Sequence, residues 1–139
     1  MRVTVMIPTQ RRLDGLTVAA RSVFAQVGVD FADLELVVVD NDQSPSAQAA
    51  VGELARQAPC PVHYVHEPRP GVAHARNAGM ARASGALIAF LDDDEEAPTG
   101  WLAALLDAQA RYDADVVFGP VRARWASCAG AWTPSPASS

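Results

Sequence analysis

Not one lysine occurs in this sequence of 139 residues, and its eleven strongly basic side chains are all arginines. That absence excludes chemistry built on a lysine Schiff base or on the lysine of a phosphate-cradling loop. Cysteine is scarce. Cys60 and Cys128 lie far apart, with no C-x-x-C pair and no zinc-ligand spacing to a histidine. They read as free thiols of a cytosolic protein. No apolar run approaches the ~20 residues of a membrane-spanning helix. The run after Arg2 breaks at Pro8, too short for the core of a signal peptide. The expected location is cytoplasmic, at most peripheral to a membrane. The turn after that run, residues 8–12, contains no glycine, so it is not a dinucleotide-binding fingerprint. The net charge of −5 argues against a general nucleic-acid binder, and no nucleic-acid partner is expected.

What is present is ordinary globular composition: 50% hydrophobic and 19% charged over a length that suits one domain. A domain of this size buries roughly 70% of its unfolded surface, enough for a real core. The pattern alternates strand and helix. Residues 2–7 form a β-branched run that Pro8 stops, and 13–26 carry a helical stripe, with Gly28 as its stop. A second strand covers 34–39 and ends in the polar cluster 40–44. Ser46 stands where it would cap a helix over 47–57, and a third strand spans 62–66. An alanine-rich helix covers 72–83, with Gly85 in a C-terminal position. A fourth strand begins at Leu87, a helix spans 101–112, and a fifth strand covers 115–118. This order implies an α/β fold, a Rossmann-like sandwich with a mostly parallel sheet flanked by helices. Residues 1–124 are taken as the domain and 125–139 as an irregular tail rich in Ala, Ser and Pro.

The strand from Leu87 runs straight into five acids, Asp92, Asp93, Asp94, Glu95 and Glu96. Unpaired carboxylates are too costly for a dry core, so the strand must emerge where water or cations gather. In open α/β sheets ligands bind at the carboxyl ends of the strands. Alternation along an extended backbone puts Asp92 and Asp94 on one side and Asp93 on the other. Two such carboxylates are hard oxygen ligands for Mg²⁺ or Mn²⁺. From the acids alone a second reading stands beside this one: a solvated acidic turn before a helix. Other polar clusters, at 8–12 and 40–44, end strands that can share the same sheet edge, and Arg76-Asn77 precedes the acidic strand. Carboxylates beside arginines suit a metal–diphosphate ligand.

Four pieces occur in order: Val5-Met6-Ile7-Pro8-Thr9, Leu36-Val37-Val38-Val39-Asp40-Asn41, Gly71-Val72-Ala73-His74-Ala75-Arg76-Asn77-Ala78-Gly79, and Ala89-Phe90-Leu91-Asp92-Asp93-Asp94. A proline and Trp101-Leu102 follow them. The ordered set, over roughly residues 2–120, resembles the N-terminal, nucleotide-binding half of a family 2 glycosyltransferase with the GT-A fold. The resemblance implies transfer of a sugar, with inversion, from a nucleoside-diphosphate sugar to an acceptor hydroxyl on a glycan, lipid or small molecule. It implies that Pro8 and Thr9 line the nucleotide pocket and that Asp40 and Asn41 reach the base. Many relatives carry a second acid where Asn41 stands. Arg76 would approach the nucleotide. Asp92 and Asp94 match the D-x-D motif, with Asp94 as direct ligand of Mg²⁺ or Mn²⁺ and Asp92 serving ribose and metal.

The resemblance also requires a general base for the acceptor, downstream of the D-x-D. No Asp or Glu follows Asp115, so the catalytic base is unassigned and the chain reads as a truncated donor-binding half. The alternative is a non-catalytic nucleotide-sugar-binding module or pseudoenzyme. A nucleotidyltransferase would need a glycine-rich basic loop after the first strand, and a phosphoacceptor receiver domain would need a lysine. His63, His66 and His74 read as structural, Arg11 and Arg12 as solvated, and Trp101 as core. Trp125 and Trp132 read as parts of an apolar face that a partner half covers.

Overall fold

A computed structural model describes residues 2–112 and 122–123 of the chain. Four strands make one parallel sheet: β1 (Val3–Thr9), β2 (Leu34–Asp40), β3 (Val62–His66) and β4 (Leu87–Phe90), in the order β3-β2-β1-β4. Helices α1 (Leu13–Phe24), α2 (Gln48–Gln57) and α3 (Val72–Arg82) are the crossovers between successive strands. Two-residue strands β5 (Glu95–Glu96) and β6 (Arg122–Ala123) pair antiparallel on either side of α4 (Trp101–Tyr112). The expected fifth strand at 115–118 and the tail at 125–139 lie outside the described residues.

Strand alternation divides the core into two layers. Val3, Val5 and Ile7 of β1 and Leu34, Leu36 and Val38 of β2 face α1, α2 and the start of α4. Met6, Val37 and Val39 face α3 on the other side, through Ala75. The helix α3 packs so closely that a side chain at Gly79 would meet Met6 Sδ at 2.5 Å and Val39 Cγ2 at 2.9 Å. Its alanine-rich face is what lets the backbone approach the sheet.

Three local expectations are corrected. Pro8 does not stop β1, which continues to Thr9 in register with Val39 and Asp40. The Thr9 carbonyl accepts from Asn41 N–H toward β2, so alternation turns the Pro8 nitrogen toward β4, whose pairing has ended at Phe90. No donor is needed there. Ser46 does not cap α2: its hydroxyl bonds Asp42, and Ala47 occupies the cap position with no side-chain bond. Gly85 does not end α3, whose cap residue is Ala83. Glycine is needed at 85 because a Cβ would lie 2.7 Å from the Thr4 backbone nitrogen.

A remote side chain starts α4. The buried Gln26 amide donates to Pro98 O at 2.7 Å and accepts from Leu102 N–H at 2.8 Å, so the end of α1 satisfies a first-turn donor of α4. Below the sheet, buried Glu35 accepts from Thr4 Oγ1 at 2.6 Å and from the N–H and hydroxyl of Ser84, with His63 at 3.4 Å. Burial pushes this carboxyl up, but those hydrogen bonds and the His63 charge more than reverse it, to about 2.

Candidate functional site

The crossovers leave β1 toward β2 on one side and return to β4 on the other, so the strand order reverses beside β1. A crevice opens at such a reversal, outside the carboxyl ends of the strands. Thr9 ends β1 there and the acids follow β4.

The ladder between β1 and β4 closes with Leu91 N–H donating to Met6 O at 3.0 Å. The chain then turns, with Glu95 N–H donating to Asp92 O at 3.1 Å. This turn, rather than an extended pleat, sorts the acids. Asp93 points inward and is 9% exposed; its Oδ2 accepts from Thr9 Oγ1 at 3.0 Å, and Arg12 Nη1 lies 3.9 Å from Oδ1. Asp92 and Asp94 lie together as expected from the sequence, and Glu95 joins them. Each brings a carboxylate oxygen within 4.8 Å of the others. Glu95 was not among the expected ligands; the signal for it was its place three residues after Asp92, across a turn.

Partial burial raises the Asp92 carboxyl, and Asp94 and Asp93 add to the effect while Arg76 opposes it. Burial likewise raises Glu95, whose bond from Asp92 N–H opposes the charges of Asp92 and Asp94. Crowded hard oxygens of this kind fit Mg²⁺ or Mn²⁺, which would relieve their repulsion.

The other expected site residues fall into two sets. Pro8, half-buried, and Asn41, partly exposed, lie at the carboxyl ends of β1 and β2. The Asn41 amide donates to Glu67 O and Arg69 O, both at 2.8 Å, which ties the loop after β2 to the loop after β3. Arg76 is exposed on α3, its guanidinium 5.1 Å from the centre of the Phe90 ring and within electrostatic reach of Asp92. Thr9 and Asp40 are instead buried. Asp40 has no exposed surface, and its carboxylate accepts from Asp42 N–H, Ala47 N–H at 2.8 Å and Tyr64 Oη at 2.7 Å. It holds the loop after β2 from behind and does not open onto the crevice. Burial and this bond to Asp40 raise the Tyr64 phenol, keeping it a donor.

Arg11 and Arg12 are exposed, as expected, but both are paired. Arg11 donates through Nε to both oxygens of buried Asp42, at 3.0 and 3.1 Å, and lowers that carboxyl. Arg11 holds a left-handed backbone, φ 55°. Arg69 similarly clamps Glu67, holding it at about 2. An open cleft of about 410 Å³ separates the 11–15 segment from Asp93 and Asp94. Cys60 is a free, buried thiol pushed up to about 11 by burial and by Glu35. Among the described residues no helix is long and apolar enough to cross a membrane.

The model of glycosyl transferase family 2 matches residues 4–135. The succinoglycan biosynthesis protein ExoM of Rhizobium meliloti is 36% identical over 132 residues, which is 95% of this chain and 42% of ExoM. A GalNAc(5)-diNAcBac-PP-undecaprenol beta-1,3-glucosyltransferase of Campylobacter jejuni is 31% identical over 106 residues, 76% of this chain and 33% of its own length. The chain thus spans less than half of these relatives. The mannosyltransferase PcManGT from Pyrobaculum calidifontis, solved with GDP-Man and Mn²⁺, superposes with a TM-score of 0.72 at 29% identity, over 78% of this chain and 32% of that one. S. aureus TarS in complex with UDP shares the fold, with a TM-score of 0.69 at 21% identity over 81% of this chain and 33% of its own. A parallel sheet flanked by helices in the GT-A arrangement, an acidic turn at its strand reversal and a family match over nearly the whole sequence lead to one conclusion: the chain belongs to glycosyl transferase family 2.

Proposed function

We propose that this chain forms the donor site of a glycosyltransferase that moves a sugar from a nucleoside-diphosphate sugar to an acceptor hydroxyl with inversion. The observation that carries this reading is the convergence of Asp92, Asp94 and Glu95 at the strand reversal of a family 2 chain. Asp94 and Asp92, with Glu95 beside them, would hold Mg²⁺ or Mn²⁺. The metal, when bound, supplies a Lewis acid for the leaving diphosphate. Arg76, braced on Phe90, offers a planar fork to the nucleotide side of the crevice. Pro8 lines its floor, Thr9 supports that floor from beneath through its bond to Asp93, and Asn41 borders the base. Asp40 contributes through the loop it anchors. The neighbours solved with GDP-Man or UDP support the donor class. The acceptor, a glycan, lipid or small molecule, is left to residues outside this site.

A second reading is a donor-binding module without transfer: the carboxylates gathered at the site, Asp92, Asp94 and Glu95, are those assigned to the metal, and none is assigned to deprotonate the acceptor. Calorimetric titration with UDP, GDP and dTDP, each with Mn²⁺, Mg²⁺ or EDTA, tests the donor site. Metal-dependent binding of one nucleotide, lost in Asp94→Ala, is the expected result. A folded chain that binds none of them would overturn it. Transfer assays with the matching donor then separate enzyme from module.

A further inference from the structure

We propose that Asp93, the middle acid of the turn, is the positioning residue of the metal site. Through the Thr9 hydroxyl it latches the acidic turn to the end of β1, and so sets the spacing of Asp92, Asp94 and Glu95. This inference rests on the metal site proposed above.

The turn is anchored at both ends. Before it, the β1–β4 ladder stops at Leu91 N–H to Met6 O; after it, Ala97 N–H donates to Ser22 Oγ at 3.0 Å. Between these anchors three carboxylates crowd together, and without a cation their repulsion works against the closed turn. The Thr9–Asp93 bond opposes its opening from the middle. Both partners are buried, Thr9 at 3% exposure and Asp93 at 9%, and a buried hydroxyl-to-carboxylate bond is of the strong, charge-assisted kind. Threonine is stiff about its first side-chain torsion, and its place at the end of the central strand fixes the direction in which it donates. Arg12, at 3.9 Å, adds a partly screened charge to the other Asp93 oxygen. The metal would therefore be held by a geometry whose reference point is β1, on the far side of the turn from the ligands.

Thr9 variants isolate this geometry, because they leave the charge of the site unchanged. Mn²⁺ affinity of the full chain, read from the electron paramagnetic resonance of free Mn²⁺, should fall about tenfold or more in Thr9→Val, the size typical of losing an outer partner of a ligand shell. Thr9→Ser should stay within about threefold of the unmodified chain. Amide exchange should accelerate at residues 92–95 and not along β2 or β3. A merely structural role would lower the melting temperature of Thr9→Val while its folded molecules kept their Mn²⁺ affinity and turn protection, and that result would overturn the latch. Should Thr9→Val fail to fold, Thr9→Ala makes the same comparison with no added bulk. Asp94→Ala separates the two levels of the argument. Mn²⁺ binding lost there but unchanged in the Thr9 variants overturns the latch alone. No Mn²⁺ uptake by the unmodified, folded chain overturns the metal site, and the latch with it.

Discussion

Several single side chains in this molecule matter for what they hold. Glu35 is the clearest case away from the site. Its ordinary value is 4.5 and the fold holds it at about 2, so its contribution to stability is complete above pH 4.5 and fades as pH falls toward 2. Glu35→Gln should cost about 2 kcal/mol at neutral pH and flatten the pH dependence of unfolding across that window, because the charge-assisted bonds are lost. Urea unfolding of both chains at several pH values checks this; parallel curves would refute it. Arg11 poses the opposite question, since its backbone sits at φ 55°, where a Cβ is crowded. Arg11→Gly and Arg11→Ala both lose the Asp42 pair, yet the glycine variant should be the more stable by about 1 kcal/mol. Equal denaturation midpoints would show that the left-handed geometry relaxes once the pair is gone.

Among the elements, what was legible in the sequence followed hydrophobic pattern. The runs 34–39, 62–66, 72–83 and 101–112 fall within a residue or so of β2, β3, α3 and α4, because a strand or helix buries a face and the face is written in its period. What failed was chemistry acting across space. Pro8 reads as a stop until β4 is seen to end beside it. Ser46 reads as a cap until Asp42 takes its hydroxyl. Asp40, expected to reach the base, holds the loop from behind, and Glu95, not expected at the site, gathers with Asp92 and Asp94, because a turn and a partly buried tyrosine decide where a carboxylate points. Gln26 gave no signal at all, yet it serves the first turn of α4 from the end of α1. Gln26→Ala is therefore expected to cost about 1–2 kcal/mol and to speed hydrogen exchange at Leu102 more than at the centre of α1. Uniform acceleration through both helices would point to global loosening instead.

For the whole molecule, a ligand that binds only the folded chain raises its stability. Mn²⁺ at a hundred times its dissociation constant should add about 2.7 kcal/mol to unfolding, visible as a raised melting temperature, reversed by EDTA and absent in Asp94→Ala. A melting curve indifferent to Mn²⁺ would count against the donor site as drawn. The sheet order has a further bearing, on how the molecule comes into being. Thr9 and Asp93 are 84 residues apart in sequence. A chain leaving the ribosome from its N-terminus can assemble β3, β2 and β1 before β4 has been made. During that interval β1, whose residues are destined for the middle of the sheet, is an open edge. The reversal of strand order that creates the crevice therefore also creates a waiting period in synthesis. In that period the first strand is most open to pairing with a neighbouring nascent chain.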